Sequence, residues 1–121
     1  AERAVISSVF HNRLKKNMRL ASDPTVIYGI KDFDGNLTRR HLEEDTPYNT
    51  YQRRGLPLGP IGSPGWKSLE AAASPDTACA AMYFVSDGAD GHVFSRTARE
   101  HQEAVRRFRQ VRAQQRRQGE R

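Results

Sequence analysis

The groups in this chain able to carry catalysis or hold an ion are four histidines, one cysteine and 14 carboxylates. Their spacing removes most familiar chemistries. No G-x-S-x-G elbow is present, and Cys79 sits in an Ala-rich run with no histidine beside it, so a buried, inert thiol is expected. His11, His41, His92 and His101 show no H-E-x-x-H or other metal spacing. Asp32, Asp34, Gly35 and Asn36 have the outline of a calcium loop, but the closing glutamate is missing and Arg39 and Arg40 follow instead. The glycines at 55, 59, 62 and 65 are interleaved with prolines, which remove the amides a phosphate cradle needs. Glu43, Glu44 and Asp45 read as a solvated cluster, Asp23 as a helix cap, and Glu2 as a carboxylate with no partner visible in sequence. The residues offer no convincing acid.

What remains is a wall. Tyr48, Asn49, Thr50 and Tyr51 alternate phenols with small hydrogen-bonding groups, and a stiff Pro/Gly path from Gly55 to Gly65 follows. Such a loop suits a polar, ring-shaped ligand such as a sugar. A buried structural loop explains the same residues, and the two readings stand side by side.

The elements that must position these groups are short. Residues 1–16 place Val5, Ile6, Val9, Phe10 and Leu14 on one helical face. Asp23 and Pro24 open a brief helix that Gly29 stops, and Thr38 caps another before Thr46-Pro47. Ser63 and Pro64 start a fourth, carrying Trp66, Leu69 and three alanines. Met82–Ser86 and His92–Ser95 read as a hairpin, with His92 and Phe94 on one face. Thr97-Ala98-Arg99-Glu100 is a capping box for a long last helix, expected to fray into a basic tail over residues 113–121. The fold class expected is α+β: short helices around a small antiparallel hairpin, with the long C-terminal helix packed across it.

With 121 residues, 36% of them hydrophobic and 28% charged, the chain has room for one domain and one modest core. No apolar run approaches the roughly 20 residues needed to cross a bilayer. The chain opens on Ala1 as if inside a helix, and so reads as a piece of a longer domain. Lys and Arg number 20 against 14 Asp and Glu, but the excess gathers in the last helix. A nucleic-acid partner therefore rests on net charge alone and is not expected.

The motifs SVFHNRL, MRLASDPTVIYG, YNTY, GLPLGPIGSPG, SLEAAASP and YFVSDGADGHVFS occur in this order across nearly the whole chain. Together they resemble the MltG (YceG-like) endolytic murein transglycosylases, a family that cuts within nascent peptidoglycan glycan strands. The resemblance implies cleavage of the MurNAc–GlcNAc β-1,4 bond with a 1,6-anhydro-MurNAc end, by one glutamate acting as acid and then base. It implies no metal or organic cofactor. It also implies an inner-membrane anchor and a LysM-like domain outside this sequence, an extracytoplasmic catalytic domain, and work alongside peptidoglycan synthases. The family's glutamate precedes the Glu-Arg pair that Glu2 and Arg3 match, so no catalytic residue is expected here and the piece alone is expected to be inactive. By matched position, Asp23, Tyr28, Tyr48, Asn49, Thr50, Tyr51 and His92 are the expected cleft framework or sugar contacts. A non-catalytic glycan-binding module is the competing reading.

Overall fold

The computed structural model describes residues 2–119 and has the expected α+β composition, with five helices and one two-stranded antiparallel sheet. The chain divides into two compact units, residues 1–12 with 67–121, and residues 13–66. Helix α1 (Arg3–Lys15) runs from one into the other.

In the first unit the hairpin pairs β1 (Tyr83–Ser86) with β2 (His92–Ser95), Tyr83 opposite Ser95 and Ser86 opposite His92. The turn between them depends on Gly88, whose φ of +85° suits glycine and whose Cβ, if present, would lie 2.8 Å from Val111. Helix α5 (Ala98–Gly119) packs across both strands. Its start keeps half of the expected capping box: Thr97 Oγ1 accepts the Glu100 N–H at 3.2 Å, but the Glu100 carboxylate accepts the Arg96 N–H rather than that of Thr97. Its end is not frayed as expected. Val111 seats on Gly88 and the Gln115 amide donates to the Gly88 carbonyl at 3.0 Å, and the helix runs on to Gly119. Residues 120 and 121 lie outside the described residues.

Core of this unit is small: Val9, Ala71, Ala81, Met82 and Ala104 are its buried apolar side chains. Phe10 meets Phe84 edge-on at 5.7 Å between ring centroids. Helix α4 (Trp66–Ala73) begins two residues after Pro64, later than expected, and only one of its three alanines, Ala71, is buried. Cys79 is half-buried rather than buried, and its carbonyl, like that of Ala81, accepts from the Asn12 amide.

The second unit is held by polar groups more than by apolar ones. Asn17 takes a left-handed φ of 55° and closes α1, its N–H reaching Leu14 O while Met18 N–H reaches Arg13 O. The segment after it forms no strand. Instead Arg13, largely buried, donates to the Leu20 carbonyl at 2.5 Å and fixes the path into α2 (Asp23–Tyr28). Helix α3 (Arg39–Glu43) starts with Thr38 capping the His41 N–H, and the His41 ring returns the favour to the Thr38 N–H at 3.0 Å. Among the described residues, no helix is long and apolar enough to cross a membrane.

Candidate functional site

The four residues Tyr48–Tyr51 form no regular element, yet each is engaged with a different part of the second unit. Asn49 is fully buried. Its amide nitrogen donates to the carbonyls of Leu42 at 3.0 Å and Glu44 at 2.7 Å, with a longer contact to His41 O at 3.3 Å. These are carbonyls that the end of α3 leaves without helical partners. Its side-chain oxygen accepts the Tyr51 N–H. Asn49 is thus a side-chain cap for a helix C-terminus.

Thr50, also buried, does the corresponding work at the start of α2. Its hydroxyl oxygen accepts the Ser22 N–H at 2.9 Å and lies 2.8 Å from the Thr25 hydroxyl, which in turn donates to Ser22 O. The Thr50 carbonyl accepts the Ala21 N–H. Of the expected site residues, Asn49 and Thr50 are therefore framework, their polar groups spent inside the protein.

The helix cap expected of Asp23 is a correction. Ser22 occupies the extended N-cap position and makes no side-chain cap, while Asp23 is the first helical residue and stays exposed. Its carboxylate accepts the Tyr51 hydroxyl at 2.5 Å. Partial burial, reinforced by that bond to Asp23, pushes the Tyr51 phenol well above its ordinary range, so it stays a proton donor.

Tyr28 and Tyr48 form a second aromatic pair of this unit. Their rings are tilted at 60° with centroids 4.8 Å apart, and Tyr28 keeps 51% of its surface in solvent. Gly29 does end α2, but with φ of −80°, so left-handed freedom is not what it supplies. A Cβ there would stand 3.3 Å from Tyr48 Cβ and 3.4 Å from Thr46 Oγ1, so the missing side chain leaves room for those two side chains. Leu56, Leu58 and Trp66 are also strongly exposed in this unit. Residues Pro60–Pro64 line an open hollow of about 450 Å³, and a second of about 390 Å³ is lined by Val26, Gly29, Arg40, His41 and neighbours.

His92 belongs to the other unit and has a partner that sequence did not reveal. Glu2 precedes α1 rather than lying on it, and its carboxylate accepts both the His92 ring Nδ1–H at 2.9 Å and the His92 backbone N–H at 3.1 Å. The hydrogen bonds from the His92 side chain and backbone hold the Glu2 carboxyl below the usual carboxylate range. Gly91 makes room: a Cβ there would lie 2.9 Å from Asp87 and 3.4 Å from Glu2. The His92 ring meets Phe84 edge-on and lies near Phe94. The shared face of His92 and Phe94 was legible from strand alternation. The Glu2 contact, spanning 90 residues, had no sequence signal.

The YceG-like family model matches residues 1–107. An endolytic murein transglycosylase of Bacillus subtilis (strain 168) is 43% identical over 108 residues, which are 89% of this chain and 30% of that protein. One from Streptococcus pneumoniae serotype 2 is 32% identical over 98 residues, 77% of this chain and 18% of that protein. A yceG-like protein of Listeria monocytogenes, known from a 2.6 Å crystal structure, superposes with a TM-score of 0.76 at 44% identity. That likeness covers 85% of this chain and 33% of the other. The chain spans less than a third of the Bacillus relative's length. With most of its residues inside the matched region, the chain belongs to the YceG-like family.

Proposed function

We propose that this chain forms part of the catalytic domain of an endolytic murein transglycosylase, and that the Tyr28, Tyr48, Tyr51 and Asp23 face is a wall of its glycan cleft. The observation that carries the reading is a division of labour within four residues. Asn49 and Thr50 are buried and wholly occupied in holding the loop, whereas Tyr48 and Tyr51 are part-exposed, Tyr48 against an exposed Tyr28 and Tyr51 on Asp23. Phenol rings present flat apolar area with a polar edge, which matches the face and rim of a pyranose ring. The Asp23 carboxylate adds acceptor capacity for sugar hydroxyls beyond the Tyr51 bond. The names of the Bacillus and Streptococcus relatives support the same substrate class.

The reaction we infer is cleavage of the MurNAc–GlcNAc β-1,4 bond within a strand. A protonated glutamate gives its proton to the glycosidic oxygen as the bond to C1 breaks. As carboxylate it then takes the proton of the C6 hydroxyl, whose oxygen closes on C1 to leave a 1,6-anhydro end. One carboxylate serves both steps and no water is consumed, unlike two-carboxylate hydrolysis. Glu2 is unsuited to that role, since an acid must hold its proton near neutrality and the bonds from His92 favour ionised Glu2. The acid in this reading is the family's glutamate, in the segment N-terminal to Glu2 and Arg3. The domain would act outside the bacterial inner membrane, tethered by an anchor elsewhere in the full protein, on nascent strands delivered by peptidoglycan synthases.

The test is digestion of uncrosslinked glycan strands by the full-length protein, with mass spectrometry of the products. Release of 1,6-anhydro-ended fragments that disappears when the N-terminal glutamate becomes Gln supports the reading. Strands bound and left whole would make this a glycan-binding module instead.

A further inference from the structure

The carboxylate–imidazole pair in the first unit has a consequence for chemistry at the hairpin. A carboxylate can only accept, so a neutral His92 ring must carry its proton on Nδ1, where Glu2 lies 2.9 Å away. The second bond, from the His92 backbone N–H to the other carboxylate oxygen at 3.1 Å, fixes the carboxylate against the strand as well as the ring. Phe84 and Phe94 confine the ring with centroids 5.7 and 6.3 Å from its own. Asp87, in the hairpin loop, is the other charged group facing Glu2. Nε2 is left over. Among the described residues nothing hydrogen-bonds to it, and the side chain keeps 32% of its surface in solvent.

We propose that Glu2 is a positioning residue: by holding Nδ1–H it presents His92 Nε2 as a fixed hydrogen-bond acceptor for a hydroxyl of the glycan. The proposal rests on the glycan-cleaving reading and adds to it a second, imidazole acceptor besides the glutamate. It explains why the carboxylate touches side chain and backbone of the same residue, since two bonds remove both freedoms of the ring, its position and its tautomer. Imidazole held by a carboxylate in this way is the arrangement that general-base histidines use.

The test uses the full-length protein. His92→Asn keeps an N–H where Nδ1 stood, and so keeps the bond to Glu2, while removing Nε2. Its melting temperature should stay close to wild type while kcat/KM for anhydro-end release falls at least tenfold. Glu2→Gln should move the proton to Nε2, because the amide then donates to Nδ1, and long-range ¹H–¹⁵N spectra read that tautomer directly. Glu2→Asp should restore the wild-type tautomer and part of the activity. Equal activity of His92→Asn and wild type, or one tautomer in both wild type and Glu2→Gln, overturns the proposal. If wild type releases no anhydro ends, the cleavage reading fails on its own. Titration with chitotetraose then decides: a shifted His92 Nε2 resonance supports the acceptor role, and an unmoved one contradicts it.

Discussion

The Tyr51 hydroxyl donates to the Asp23 carboxylate at 2.5 Å, joining two motifs 28 residues apart at the surface of the second unit. Beneath this bond lie the buried contacts of Thr50 with Ser22 and Thr25. The surface pair is available to a ligand and the buried one is not. Substitutions should therefore separate function from stability along a stretch of four residues.

Tyr51→Phe removes one half-exposed charge-assisted bond, and about 1 kcal/mol of stability should go with it. Turnover of glycan strands by the full-length protein should fall further than that loss accounts for. Urea melts beside product release check both halves.

Asn49 should behave in the opposite manner. Asn49→Ala leaves the Glu44 carbonyl without its donor and the Leu42 carbonyl with only the Gln52 amide, and opens a small void, for a loss of about 2–4 kcal/mol. Asn49→Asp should be worse at neutral pH, because a carboxylate would face carbonyl oxygens in a buried position. Thermal melts of the two variants beside wild type give the order.

Acid should loosen the first unit through Glu2. Its pKa is lowered in the folded state by the bonds from His92, so the stabilisation is present above the unfolded value near 4.5 and is lost as pH falls through the folded value. Asp45, lowered by its bond to Arg53, adds a similar dependence in the second unit. Melting temperature against pH should consequently drop more steeply below pH 4.5 for wild type than for Glu2→Gln.

At the hairpin, Gly88→Ala combines a φ of +85° with a Cβ placed 2.8 Å from Val111. A loss of about 2–3 kcal/mol is expected, from the left-handed conformation together with displacement of α5. The effect should show as earlier loss of protection in the 111–119 turns by hydrogen exchange.

Much of the frame could be read in advance because its signals are local. Thr97 and Thr38 announce helix starts within four residues of themselves, and the alternation of His92, Val93 and Phe94 gives the strand its faces. The misreadings share a different cause. Asp23 looked like a cap because Asp before Pro usually is one, but its carboxylate was claimed by a phenol 28 residues away. Residues 113–119 carry no apolar pattern, yet Gln115 and Val111 hold the helix from a turn that only the fold brings near. The partner of Glu2 is invisible in sequence for the same reason. His41 as the reciprocal member of a capping box went unseen because that position is ordinarily Glu or Gln.

In the proposed cleft the exposed tyrosines contact the sugar. Tyr28 tests this most directly, being half exposed and in contact, among the described aromatic rings, with Tyr48 alone. In the full-length protein, kcat/KM for 1,6-anhydro end release by Tyr28→Ala should fall at least tenfold while the melting temperature stays within a few degrees of wild type. Release at the wild-type rate from a folded Tyr28→Ala protein would contradict the account.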